Sequence, residues 1–385
     1  MFVRIGNTPR DYAWGSTTAI AGLLGTEPSG GPEAELWLGA HPGSPARVLD
    51  PALAGGAADL AAWERTSDLP YLLKVLAAAG PLSLQAHPSP EQARAGFERE
   101  NAAGLAPDSP ERNYKDPFHK PELIFALSDP FEALCGFRDP EESRRALERL
   151  AAATPGGAVL SGFARTLVGE PGAVLRRATE WLLGEDPEVD LLVAEVVRAA
   201  RALPDDRDAD TVRMLDEAFP GDPGIVLALL LNRATLRPGQ VLYLPAGNIH
   251  AYLRGLGIEL MAASDNVLRG GLTRKRIDVP ELVSVLDFTP IEATPLAPEH
   301  PAAGVETFRP DVPDFALEHI VVEDGGQITV RLPGTAIALV TDGEVKLSGA
   351  NDTVTLTRGE SAVVVDETEL TVSGHGTVFV AHPNS

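Results

Sequence analysis

The segment from Gly239 to Lys275, GQVLYLPAGNIHAYLRGLGIELMAASDNVLRGGLTRK, limits the fold more than any other part of the chain. Its first part reads Gly239, five residues, Pro245, one residue, Gly247, two residues, His250. That spacing predicts a strand, a tight turn and a second strand. Val241 to Tyr243 suit a buried strand, and Pro245 and Gly247 supply the turn. His250 then opens the return strand and is expected to face the inside of a small barrel, where an imidazole suits zinc, iron or copper. The same string also fits a core histidine beside a hairpin.

Two stretches upstream bear on that choice. LSLQAHP carries Gln85 and His87 two residues apart, and on a strand such a pair points to one face. YKDPFHKPELIFAL carries His119, Lys120 and Glu122 just before an apolar, strand-like run. Gln85, His87, Glu122 and His250 together offer oxygen and nitrogen ligands and no thiolate. A site of that kind, left open to water, has the style of a catalytic rather than a structural metal centre.

These stretches resemble the type I mannose-6-phosphate isomerase (phosphomannose isomerase) family, zinc enzymes of the cupin fold. One family signature has the form Tyr-x-Asp-x-Asn-His-Lys-Pro-Glu. Tyr114, Asp116, His119, Lys120, Pro121 and Glu122 match it, while Phe118 stands where the family has Asn. A second signature runs from His250, Ala251 and Tyr252 through Gly255, Glu259, Met261, Ser264, Asp265 and Asn266 to Arg269, Gly271, Thr273 and Lys275. Gly270 and Arg274 depart from its usual Ala and Pro. YAWG (Tyr12 to Gly15) and ELWLGAHP (Glu35 to Pro42) also resemble the family. The matches thus run from residue 12 to 275, and beyond residue 300 only the general pattern is shared.

The resemblance implies one zinc ion and interconversion of mannose 6-phosphate and fructose 6-phosphate through an enediolate. It also implies that Arg269, Lys120, His119 and Asp265 are catalytic groups. Arg269 suits a developing oxyanion, and Asp265 would move a proton in ring opening or orient Arg269. Tyr252, two residues after His250, would bind the sugar or pack in the barrel wall. Lys74 and Lys115 are expected to bind substrate, although isolated lysines also fit a solvated surface. His41 reads as a surface or structural residue. The rival readings are an iron-dependent cupin oxygenase and a sugar-binding regulatory cupin. A Gln ligand with only two histidines fits redox iron less well, and a binding protein needs no Asp265 and Arg269 beside its metal.

The formal net charge of −23 argues against a nucleic-acid partner, but a few local lysines can still hold one phosphate. No apolar run is long enough to span a membrane, and MFVRIGNTPRDYAWG has no signal-peptide character. Cys135 is the only cysteine, which fits a reducing cytoplasm. A monomer is expected rather than an obligate oligomer.

The expected fold is mainly β with a helical insertion: two cupin (jelly-roll) barrels plus an α-helical domain. Residues 1–138 with 233–300 would form the metal-binding barrel. The run Pro70 to Ala78 is ambiguous between helix and strand by period, and the ligand pair that follows favours strand. Residues 139–232 would be the helical insertion. Asp139 followed by Pro140, and Asp222 followed by Pro223, read as a cap and a first helical residue, so DPGIVLALLLN is expected to be helical. Residues 310–385 alternate strands and turns at short spacing and would form a second barrel without a metal site.

Overall fold

In the computed structural model, which describes residues 1–153 and 157–384, the strand Tyr71–Ala78 is buried at every position. A strand can be buried on both faces only between two other layers. Its alternating side chains divide accordingly. Tyr71, Leu73, Val75 and Ala77 join a core shared with the C-terminal sheet through Phe308, Leu339 and Phe379. Leu76 and Ala78 point the other way, into a smaller core with Ile124, Phe131 and Tyr252. The strand Glu122–Ala126 splits in the same manner, Leu123 and Phe125 to one side, Ile124 and Ala126 to the other. Burial on both faces removes any apolar-polar alternation, which explains why the run 70–78 shows no clear period.

The strand His250–Ala262 organises the nine-stranded sheet that contains these elements. Its first residues pair with Leu84–Ala86 and Phe131–Phe137, with His250 opposite both Gln85 and Cys135. From Gly255 onward it pairs with Tyr71–Ala78, and from Gly257 with Glu122–Ala126. The change of partners coincides with a bulge between Tyr252 and Arg254 and with a φ of 132° at Gly255. A Cβ at that position would lie 2.6 Å from Cδ2 of Phe131. Glycine therefore lets one strand cross from one layer to a second layer facing it.

The helices Pro140–Ala152, Ala158–Thr166, Pro171–Leu182, Glu188–Arg201 and Arg207–Ala218 follow. Asp139, Glu170 and Asp206 cap three of them by accepting backbone N–H groups of their first turns. Their apolar faces pack on the outer side of the first layer, against Ile249, Ala251 and Leu253. Ala158–Thr166 was not foreseen, and it starts at Gly157 without a side-chain cap. The stretch DPGIVLALLLN is helical only over Gly224–Leu227, with a 3-10 turn at Ala228–Leu230. Every residue from Gly224 to Leu231 is buried, so there is no polar face for a surface helix. Leu231 instead pairs with Phe137 in the sheet.

The C-terminal half supplies six strands of an eight-stranded sheet, completed by Arg47–Val48 and by the N-terminal strand Phe2–Gly6, which pairs with Ser361–Val364. Among the described residues no helix is long and apolar enough to cross a membrane.

The expectation of a mainly β chain with two jelly-roll barrels is overturned. The chain mixes α and β, and neither sheet closes. In one sheet the pairings branch outward from His250–Ala262, and in the other they run from Val305–Phe308 to Arg47–Val48 without returning. Because one strand serves two layers, and helices and the other sheet cover their outer faces, the core is buried without a closed ring of hydrogen bonds.

The crossing at Gly255 yields a test. Gly255→Ala should lower the unfolding free energy by about 2–3 kcal/mol, from backbone strain plus overlap with Phe131. Urea denaturation measures this, and an unchanged midpoint would show that the strand crosses without needing glycine there.

Candidate metal centre and its cleft

The two facing layers bring three buried side chains together. His250 opens the long strand, Glu122 opens Glu122–Ala126 opposite Met261, and His87 follows Leu84–Ala86. The Pro245–Gly247 turn ties the histidines to one another, because the Gly247 N–H donates to the His87 carbonyl at 2.8 Å.

Backbone carbonyls fix both imidazoles. His87 Nδ1 lies 2.7 Å from the Asn266 carbonyl, and His250 Nδ1 lies 3.1 Å from that of Asn248. A carbonyl only accepts, so both Nδ1 atoms carry the proton, and in the neutral imidazole the lone pair is then on Nε2. Each Nε2 stands 3.3 Å from an oxygen of Glu122, and His87 Nε2 has no hydrogen-bond partner. Burial pushes His87 down to about 4, against the opposing pull of Glu122, so the ring is neutral near pH 7. Burial works to raise the Glu122 carboxyl, but Lys120 and His87 outweigh it and hold it well below the usual carboxylate range. The three ligand atoms lie within 4.8 Å of one another. Two lone pairs and a carboxylate converging in a buried space repel unless a cation lies between them. This donor set fits a zinc-like ion. Gln85, opposite His250 in register, lines the same small chamber as Glu122 and His250.

Lys120 Nζ lies 2.8 Å from Glu122 Oε1. Lys74 is buried deeper in the chamber wall, 2.9 Å from Glu259 Oε2, 3.7 Å from Glu35 Oε1 and 4.9 Å from the Trp37 ring centroid. Burial disfavours the Lys74 charge, but Glu259 and Glu35 more than offset it and raise the ammonium above its ordinary value. Burial also pushes Glu259 up, against the pull of Lys74. The Tyr252 hydroxyl lies beside Glu259 without meeting hydrogen-bond geometry.

At Gln85, Glu35 and Leu82 the chamber opens into a cleft of about 800 Å³, lined also by Tyr12, Trp14, Arg269 and Lys275. Burial alone lowers Arg269, with no acidic neighbour contributing. Lys275 is lowered first by Arg269, then by burial and by Lys115. The one carboxylate lining the cleft, Glu35, is turned to Lys74, so Arg269 and Lys275 stand there without an acidic partner.

The other sequence candidates lie elsewhere. His119 Nε2 sits 2.8 Å from Asp314 Oδ2. The Asp265 carboxylate is half exposed and 3.4 Å from His41 Nε2. Neither residue lines the chamber or the cleft, and Arg269 and Asp265 do not pair. Phe118 is 59% exposed, and its carbonyl, not its side chain, accepts a hydrogen bond from Asn266 Nδ2 at 2.8 Å.

Sequence reasoning missed Asn266 as a support. Its side chain grips the backbone of Lys115, Asp116 and Phe118 while its carbonyl orients His87. It also missed the acids around Lys74. A lysine inside an apolar strand run was the available signal, since a buried ammonium needs a partner.

The layered fold and this nitrogen–oxygen cluster define a chain built to hold one metal ion beside an anion-attracting cleft. The chain belongs to the type I phosphomannose isomerase family. A family model described as "Phosphomannose isomerase type I, catalytic domain" matches residues 2–140, and "Mannose-6-phosphate isomerase, cupin domain" matches 305–383. The mannose-6-phosphate isomerase of Escherichia coli (strain K12) is 39% identical over 387 residues, covering 96% of each chain. That of Homo sapiens is 31% identical, covering 90% of this chain and 93% of its own. A crystal structure of a zinc-bound mannose 6-phosphate isomerase superposes with a TM-score of 0.86 at 36% identity, covering both chains fully.

His87→Ala and His250→Ala should each weaken divalent-cation binding by more than the roughly 10–100-fold that loss of an outer partner costs. Calorimetric metal titration reads this, with far-UV circular dichroism expected to show unchanged helix. Parent-like affinity in either variant would refute the cluster as the metal site.

Proposed function

We propose that the chain interconverts mannose 6-phosphate and fructose 6-phosphate, using one zinc ion held by Gln85, His87, Glu122 and His250. The observation that carries this reading is the convergence of His87, His250 and Glu122 ligand atoms in a buried chamber. Relatives covering nearly the whole chain are named mannose-6-phosphate isomerase. Bound zinc supplies Lewis acidity for the substrate oxygens on which negative charge grows.

The remaining work falls to side chains. Lys275 and Lys115 receive the phosphate at the outer end of the cleft, where their mutual repulsion with Arg269 favours an anion. Arg269, paired through its strand with Gln85, faces the oxygen that becomes charged as the proton leaves carbon. Lys120, 2.8 Å from Glu122, is placed to carry a proton between neighbouring carbons. The Tyr252 hydroxyl and Lys74 present donors to sugar hydroxyls in the chamber. His119 and Asp265 act from outside it, through Asp314 and His41, so their part is to steady the segments that lead into Lys120 and into the strand of Arg269.

The proposal extends to the chain's organisation. Residues 1–138 with 233–300 carry the chemistry, 139–232 form an inserted helical unit, and 310–385 hold no metal. The chain works as a monomer in the cytoplasm. Burial pushes the Cys135 thiol up to about 12, in keeping with a thiol that stays reduced there.

Arg269→Ala separates this mechanism from a structural role. Turnover should fall about a hundredfold or more, as for a lost oxyanion donor. Zinc content and melting temperature should be kept, and KM should change only modestly. Near-normal turnover with a lowered melting temperature would make Arg269 structural.

A further inference from the structure

The helical block reaches the cleft through the turn that follows Arg207–Ala218. Ala218 and Phe219 line the cleft together with Arg269 and Lys275. Three residues on lies Asp222, expected from the sequence to cap a helix with Pro223 as its first residue; Pro223 is instead the N-cap of the short helix Gly224–Leu227. Asp222 Oδ1 accepts the Gly224 N–H at 2.7 Å and the Leu272 N–H at 2.9 Å, and its Oδ2 accepts the Thr273 N–H at 3.1 Å. One carboxylate from the helical block thus grips the backbone on which Lys275 is mounted.

The gripped segment needs holding. Leu272 has a φ of 54°, a left-handed conformation that a branched side chain adopts at a cost. Gly271, at φ 125°, passes so close to Gly224 that a Cβ on it would lie 2.8 Å from the Gly224 Cα. Strand pairing ends at Gly271 opposite Leu84. Arg269, opposite Gln85, is therefore held by the sheet, whereas Lys275 lies past its end. The hold passes onward from Asp222 to Thr273, whose Oγ1 accepts the Lys275 N–H at 3.1 Å.

We infer that Asp222 is a positioning residue that fixes Lys275 at the phosphate end of the cleft through the Thr273 backbone. The helical block is then part of the substrate-binding apparatus. This rests on the proposed phosphate role of Lys275, and the test separates the two.

Asp222→Ala should raise KM for mannose 6-phosphate, and the inhibition constant of inorganic phosphate, about tenfold, the scale of a lost charge-assisted contact. Turnover at saturation and zinc content should stay near those of the parent. Asp222→Asn keeps one acceptor oxygen for Gly224 and Leu272 and sets an amide against Thr273. It should fold if the alanine variant does not, and should show the same rise in KM. Asp208→Asn serves as comparison, since it weakens contacts with Arg149 in the helical block and with Arg138 at its edge. It should lower the melting temperature without moving KM. Lys275→Ala should raise KM at least as much as Asp222→Ala. If Lys275→Ala leaves KM unchanged, both the phosphate role and the positioning role fall. If it raises KM while Asp222→Asn lowers only the melting temperature, the positioning role alone is overturned.

Discussion

Two imidazole lone pairs and a carboxylate, forced together out of water, are the interaction on which the molecule turns. Nothing in the apolar packing would choose that arrangement, since each group would be better solvated apart. It persists because rigid elements determine each position. The Asn266 and Asn248 carbonyls choose the tautomers, the turn at Gly247 ties one histidine to the other, and Glu122 starts a strand buried on both faces. The surrounding layers hold these groups at a separation that a divalent ion can relieve.

The cleft repeats this logic with opposite sign. Arg269, together with burial and Lys115, depresses the Lys275 ammonium, in a chain whose net charge is strongly negative. A single anion neutralises the group, as a single cation neutralises the other. Between them the Lys74, Glu35 and Glu259 network keeps a fixed charge inside the wall without offering it to solvent. A substrate bearing both a phosphate and vicinal oxygens satisfies the two ends together, which makes its affinity depend on the spacing between them.

The ligand-bearing residues were legible because they sit beside backbone punctuation: Pro245 and Gly247 before His250, Pro88 after His87, Pro121 before Glu122. The helices were legible where a capping residue preceded proline, as at Asp139 and Pro140, and were missed where no cap marks the start, as at Gly157. What could not be read depended on pairing across long separations. Lys74 meets Glu259 because two strands distant in sequence lie side by side, and His41 meets Asp265 because the loops after Glu35–Leu38 and His250–Ala262 come together. The barrels were inferred from strand content and a family pattern. Whether a sheet closes depends on which strands pair across long separations, which strand propensity does not encode.

The N-terminal strand has a consequence for how the chain comes into being. The Met1 amino group meets the Val365 carbonyl across a separation of 364 positions, and Phe2–Gly6 fills a place in the sheet beside Ser361–Val364. During synthesis the first strand emerges long before its neighbour exists. Until that neighbour leaves the ribosome, Phe2–Gly6 has only the two-residue strand Arg47–Val48 beside it, reaching Ile5 but not Val3, and the core that Val3 and Ile5 share with Phe379 stays open. Assembly is therefore coupled to completion of the chain, at the slow end of folding rates set by distant contacts. A truncation that removed Ser361–Val364 would strip Phe2–Gly6 of its longer neighbour and loosen both regions together.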